Sequence, residues 1–469
     1  MIPGAPGPHA RRPISARARN LSILLIAGSA LLLRLWHLGA RSLWIDEVLT
    51  VDRARALDSI GFLHWTPTHL LVRAAGEVFG FTEWSARVAP ALIGAATIPV
   101  LYVLFRRFVD ELVALVAAGL LAVCPWHVYW SQCSRGYAAL LLRYAAGLLL
   151  LYEGLETRRL RLVLGAGVLM TVATLERRFT TLNASLTLGA LVVLRGPWRS
   201  GFLRERGRDL AAVVATMGGI VLAYELVADL TNSEGMFEEF IEFRRIGPAV
   251  GSRGMLGTLV AEAGLPLLIL AAAGTLRPGV WRSRDGRAVA VAAWIPVMTL
   301  LLLTRHVRVY ARYAFVALPF LCLLAGLFLT RSLSSRRFSL KLPGMLAALW
   351  FAVVTAPQLQ AHYAGQGRRL DWRPPLNVVR AQHVAGDVLY FPGHILARHY
   401  LGRDVELRWP LPRAGLAGRL PPGQRIWLLL PRDLPARFEA WLASGARRVE
   451  VGPAGAGQLW LYVAPARER

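Results

Sequence analysis

Asp46 and Glu47 follow one another in the run Arg-Ser-Leu-Trp-Ile-Asp-Glu (Arg41 to Glu47), just beyond the first long apolar stretch of the chain. A carboxylate pair held where a transmembrane helix emerges into water is costly so close to lipid, and side chains kept at that cost mark functional sites. The chemistry on offer is proton transfer, a carboxylate taking the proton of a hydroxyl or amine as it attacks. Neighbours on a regular helix point about 100° apart, so the two do not converge as a dyad. One is then the principal base and the other a helper or a helix-start partner. The plainer reading makes Asp46 a helix N-cap with Glu47 stabilising the first turn.

The elements that carry this pair are read from composition and charge. With 55% hydrophobic residues and a mean hydropathy of +0.44 over 469 residues, the chain is a polytopic α-helical membrane protein. Its formal charge of +25 comes from 54 basic and 29 acidic residues, Lys341 being the only lysine. The arginines fall mainly in short segments between apolar runs, a pattern of membrane orientation rather than nucleic-acid binding. Three cysteines, Cys124, Cys133 and Cys322, imply no disulfide framework. Arg11, Arg12, Arg17 and Arg19 precede the first apolar run without a small-residue cleavage site after it, which predicts an uncleaved first helix.

A hydrocarbon core takes about 20 apolar residues per helix, and by that ruler the chain makes about eleven spans. They lie near 20–38, 86–105, 112–129, 138–155, 161–175, 180–195, 209–229, 256–275, 288–304, 311–330 and 342–357. Alternate connections carry the arginine clusters at 106–107, 158–161, 195–208, 277–287 and 331–341. With the basic N-terminus, these are the expected cytoplasmic side. Facing outward are 39–85, 130–137, 176–179, 230–255, 305–310 and everything after about 358. The expected location is the cell (inner) membrane.

The outward set also holds Arg135, Arg177, Arg178, Arg244, Arg245, Arg253, Arg305, Arg308 and Arg312. Positive charge on the translocated side calls for an anion, and the arginine fork matches phosphate oxygens. Arg135, Arg305, Arg308 and Arg312, at helix mouths, are the preferred phosphate ligands, with His306 joining them. Pairing with nearby Asp and Glu residues, or snorkelling, is the structural alternative. The stretch 46–61, with Val48, Leu49, Val51, Leu57 and Ile60 in one stripe, predicts a helix lying along the membrane interface. Trp126, Tyr129, Trp130 and Tyr137 read as interfacial anchors. His64 and His69 flank Pro67 with poor spacing for a metal, so structural or substrate contacts suit them better. The sequence demands no cofactor, and a divalent metal stays open.

No internal repeat or broken helix is visible. Composition changes only after Pro357, dividing a membrane unit (1–357) from a soluble unit (358–469). In the latter, 388–391, 426–430 and 459–463 read as buried strands and 435–443 as a helix, making a small extracytoplasmic α/β domain.

The chain resembles bacterial GT-C glycosyltransferases of the protein-mannosyltransferase type (glycosyltransferase family 39-like), relatives of aminoarabinose lipid A transferase. The resemblance rests on Leu33 to Glu47 (LRLWHLGARSLWIDE), Pro67, Phe79-Gly80 with Glu83 to Arg87, Pro125, Ser131-Gln132 with Arg135 and Tyr137, Arg312-Tyr313 with Pro319, and Asp371-Trp372-Arg373. These fall in the family's order over about three quarters of the chain. Cys133 stands where many relatives carry an acidic residue, and Glu176-Arg177-Arg178-Phe179 replaces their usual fifth-helix end. Glu176 is expected to neutralise Arg177.

The resemblance implies an inverting enzyme that takes a hexose or pentose from a polyprenyl-phosphate carrier. The acceptor would be a protein, a lipid or a cell-envelope glycan at the outer face. It places Asp46 at the catalytic acidic position, with Glu47 beside it, and Arg135 with Tyr137 near the donor. Gln132, Arg305, Arg308, Arg312 and His64 complete the expected substrate contacts. The rival expectation is a transporter or flippase of lipid-linked sugars, which would place arginines similarly.

Overall fold

A computed structural model of the chain describes residues 15–58, 66–176, 251–306, 309–364, 371–402, 405–408, 423–430, 446–449 and 458–463, apart from 336 and 392, with scattered positions between 207 and 226. The first helices are α1 (Ala16–Leu35), α2 (Ile45–Arg55), α3 (Pro67–Phe79), α4 (Glu83–Phe105), α5 (Glu111–Val123), α6 (Pro125–Ser131), α7 (Tyr137–Thr157) and α8 (Leu160–Glu176). After the undescribed stretch come α9 (Ser252–Ala263), α10 (Leu265–Thr275), α11 (Pro278–Arg282) and α12 (Arg284–Leu303). A 3₁₀ turn (Ala311–Ala317) then leads into α13 (Leu318–Leu333) and α14 (Phe338–Tyr363).

Among the described residues six helices are long and apolar enough to cross a membrane, or up to eight if each of two bent pairs is one span. The chain is a multi-pass membrane protein. Of the eleven expected spans, 180–195 lies outside the described residues and 209–229 largely so, while 161–175 is the shorter α8. The 3₁₀ turn and α13 form the axis of the bundle, with 89% of their span buried, whereas α1 and α14 are 11% and 17% buried and face lipid. A helix apolar all round belongs in such a centre.

Two expected spans are broken. Pro125 lacks an N–H and forces Cys124 to an extended ψ of 120°, so α5 and α6 meet at 59°. Gly264, at φ +85°, lets α9 and α10 turn through 98°. One carbonyl loosened at the first break, that of Ala122, is taken up by Arg34 of α1, which is fully buried. It donates to Ala122 O (3.1 Å), Ala30 O (2.8 Å) and Ser131 Oγ (3.3 Å). A buried guanidinium without a carboxylate is tolerated here because backbone and hydroxyl oxygens, and the His127 ring nitrogen, occupy its donors.

Beyond α14 lie α15 (Arg373–Gln382), β1 (Val388–Tyr390), α16 (His394–Leu401), β2 (Glu406–Arg408), β3 (Arg425–Leu430), β4 (Ala446–Val449) and β5 (Gln458–Val463). The strands form one sheet in the order β2-β1-β3-β5-β4. β1 is parallel to β2 and β3, and β5 is antiparallel to β3 and β4. The three expected strands are thus present as β1, β3 and β5, while the expected helix 435–443 lies outside the described residues. β3 is central because Ile-Trp-Leu-Leu-Leu has no polar face to show to water.

The helix predicted over 46–61 is α2, over Ile45–Arg55, but its stripe does not meet lipid. Val48, Val51 and Ala54 are buried against Leu376 and Val379 of α15, Leu396 and Ala397 of α16, and Trp427 of β3. The C-terminal unit covers the face that periodicity alone assigned to the membrane interface.

Candidate active site

Four segments meet around α2: its own first turn, the start of α4, the turn 132–136 between α6 and α7, and the 3₁₀ turn. Glu47 points into the protein with its side chain fully buried and receives a two-pronged contact from Arg87, at 2.9 Å and 2.7 Å. Its remaining acceptor capacity is taken by the Ser134 N–H (2.9 Å) and the Trp44 N–H (3.3 Å). Arg87 spends its other donors on the carbonyls of Leu38 (3.1 Å), Arg41 (2.9 Å) and Ser42 (2.8 Å). The pair therefore pins the first loop onto α4 and onto the 132–136 turn. Removing one partner of such a buried pair costs about 3–5 kcal/mol.

Asp46 turns the other way. Its side chain is 30% exposed, with Oδ2 3.5 Å from Arg135 Nη2. Arg135 also donates to the Asp46 carbonyl (3.1 Å) and to Thr50 Oγ1 (3.2 Å), so one guanidinium grips both the backbone and the carboxylate of the first α2 turn. Arg312 lies over the Tyr310 ring at 4.1 Å, within electrostatic range of Asp46 and Tyr137. Tyr137 is buried against Trp130, with ring centroids 4.2 Å apart. Asp46, Arg135, Tyr137 and Arg312, from segments far apart in sequence, thus share one locality.

The other expected residues fall elsewhere. Gln132 is a fastener: its Nε2 donates to the carbonyls of Leu33 (3.2 Å), Arg34 (3.0 Å) and Trp36 (2.9 Å), satisfying the open end of α1. Its Oε1 meets His362 Nε2 at 2.7 Å. Arg305 and His306 are exposed in the turn after α12, and among the described residues no hydrogen bond or ion pair brings Arg305 to Asp46. His64 and Arg308 lie outside the described residues, as does Arg177. Glu176, expected against Arg177, is buried and ion-paired with Arg143. His69 accepts the Thr66 N–H (3.0 Å) as part of the α3 cap. Trp126, Trp130 and Tyr137 are interior side chains and not the expected interfacial anchors. Cys133 accepts the Trp44 indole N–H at 3.3 Å. Among the described residues no three His, Cys, Asp or Glu side chains gather as a metal would require.

Arg87 is the residue that sequence reasoning undervalued, since a lone arginine in the apolar run of α4 must find a buried anion. The segment Asp371-Trp372-Arg373 also has a physical task. Asp371 Oδ1 accepts the Ser42 N–H (2.9 Å), the Trp372 N–H donates to Ser42 Oγ (3.0 Å), and Arg373 reaches the carbonyls of Gly39 (3.2 Å) and Ala40. Tyr400 adds a bond from the Leu43 N–H (2.8 Å) and donates to Glu83 (3.1 Å). Burial, and then the Glu83 carboxylate beside it, push the Tyr400 phenol above its ordinary range, favouring the neutral form that donates to Glu83.

A membrane bundle with a polar site at one end of its helices and a sheet-bearing unit clasping the first long loop defines the class. Residues 68–224 match the family model of dolichyl-phosphate-mannose-protein mannosyltransferases. Over 97% of this chain and 100% of the other, the fold is similar to that of ArnT from Cupriavidus metallidurans, solved bound to undecaprenyl phosphate, with 15% identity and a TM-score of 0.59. An oligosaccharyltransferase from Archaeoglobus fulgidus matches at 13% identity with a TM-score of 0.54, over 84% of this chain and 65% of that one. No curated protein matches the chain significantly by sequence. The fold of the chain is thus that of these GT-C membrane glycosyltransferases.

Proposed function

We propose that the chain is an inverting glycosyltransferase using a polyprenyl-phosphate-linked sugar, with Asp46 as general base. The carrying observation is the half-open Asp46–Arg135 pair, with Arg312 within electrostatic range of it, next to a Glu47 wholly consumed by structure. As the acceptor oxygen or nitrogen attacks the anomeric carbon, its proton passes to the Asp46 carboxylate and the bond from that carbon to the phosphate oxygen breaks. The departing lipid phosphate gains negative charge as it leaves. Arginines already in place stabilise that charge without reorganising. Arg135 and Arg312 take this role, Tyr137 shapes the wall behind them, and Glu47 with Arg87 positions the loop.

The ArnT structure with undecaprenyl phosphate supports a lipid-phosphate donor. The acceptor class is a protein, lipid or envelope glycan, reached on the face of the membrane where α2 and the C-terminal unit lie. About eleven spans, with the N-terminus cytoplasmic and the C-terminal unit extracytoplasmic, complete the proposal. The test is transfer from a labelled polyprenyl-phosphate sugar in membranes holding the full chain. Transfer by wild type and its loss in Asp46→Asn are expected; full activity in Asp46→Asn removes Asp46 from the mechanism.

A further inference from the structure

The mechanism makes no use of the opposite end of the bundle. α4 starts beside Glu47 and runs 23 residues to Phe105, about 35 Å at 1.5 Å per residue, so the 106–110 turn lies a membrane's thickness from Asp46. There a cavity of about 620 Å³ opens between the ends of α4 and α5 and the α10–α13 region, and four of its lining residues are Arg106, Arg107, Arg277 and Arg331. Asp110 is the one acid in its wall, bonded to Arg331 at 2.7 Å. Arg107 is held by Glu153 and Glu156 from outside the cavity.

Arg277 is different. It bonds Ser332 Oγ (2.6 Å) and the Phe328 carbonyl (3.4 Å), but its Nε is buried without a hydrogen-bond partner among the described residues. Burial, and then the like charge of Arg331, pull its guanidinium below its ordinary range. Two neighbouring guanidiniums with one carboxylate between them leave an uncompensated positive charge that an anion would relieve. A second cavity, of about 500 Å³, shares Arg277 and Arg331 and is walled by Leu276 and Phe328. Leu276, which caps α10 and lines this cavity, is 78% exposed, and Ile269, seven residues earlier on the same stripe, is 47% exposed.

We propose that this end of the molecule holds an anionic phospholipid, its phosphate between Arg277 and Arg331 and its acyl chains along α10 and α13. Basic pockets between transmembrane helices have the chemistry for such headgroups. A soluble phosphate compound would satisfy the same arginines but has no use for the exposed apolar side chains of Ile269 and Leu276. The site is separate from the donor phosphate near Arg135, so its test does not depend on the transferase reading.

The test is native mass spectrometry of the full chain in neutral detergent, with phosphatidylglycerol, phosphatidylcholine or inorganic phosphate added. Phosphatidylglycerol is expected to be retained at least tenfold better than phosphatidylcholine, and inorganic phosphate at equal concentration should not displace it. Arg277→Gln with Arg331→Gln should abolish that preference, while Asp46→Asn keeps it. Should the double variant fail to fold, Arg331→Gln alone, at a half-exposed side chain, is expected to weaken retention severalfold. Equal retention of the two lipids, unchanged preference in the arginine variants, or displacement by inorganic phosphate overturns the proposal.

Discussion

Asp46 and Glu47 are consecutive, chemically alike and on the same helical turn, yet they live in different worlds. Glu47 has no exposed side-chain surface and is met by the Arg87 fork and two backbone N–H groups. Asp46 is 30% exposed and meets its arginine at the looser distance of 3.5 Å. A carboxylate saturated by fixed donors cannot accept a proton without dismantling the loop it holds. One with a single long contact and access to solvent can. On the proposed mechanism, structure and chemistry are divided between neighbours, Glu47 securing the geometry in which Asp46 acts.

The largest test of that division is Asp46→Asn, which should lower transfer by about 10²–10⁴-fold, the usual worth of a general base, while leaving the melting temperature near wild type. Glu47→Ala should do the reverse in kind: a stability loss of about 3–5 kcal/mol, read by thermal unfolding in detergent, from stranding Arg87. Glu47→Leu with Arg87→Met should recover only part of that loss, since it leaves no unpaired buried charge but strands the backbone groups of Ser134, Leu38, Arg41 and Ser42 that the pair satisfies. Asp371→Ala, which frees the Ser42 N–H, should cost about 1–3 kcal/mol and speed proteolysis of the first loop. Arg135→Lys keeps the charge but loses the planar fork, and kcat/KM should fall about tenfold, a difference of about 1.4 kcal/mol. If Glu47→Ala kept full stability and lost only activity, the two roles would have to be exchanged.

Much of this was legible in the sequence because lipid restricts what a chain can do. Apolar run lengths gave α1, α4, α7, α12 and α14, and continuous Leu-Ile-Val-Trp runs gave β1, β3 and β5. Hydropathy could not foresee the bends at Cys124 and Gly264, where one proline and one positive φ break runs whose composition is uninterrupted. Asp46, Arg135, Tyr137 and Arg312 could be named together and are found together. Gln132 could not be distinguished from a ligand, because its partners are backbone carbonyls of α1, which leave no mark in side-chain pattern. The same holds for the α2 stripe, since an apolar face reads alike whether lipid or α16 covers it.

The clasp between Ser42 and Asp371 joins positions 329 apart. During synthesis the opening loop emerges with its carboxylates long before residue 371 exists, a delay of roughly tens of seconds at 5–20 residues per second. Until then Ser42 has Arg87 but not Asp371, and the stripe of α2 lacks the cover that α15, α16 and β3 supply. The protein is therefore assembled with its opening loop loose, and that loop tightens only when the segment at 371 returns to it.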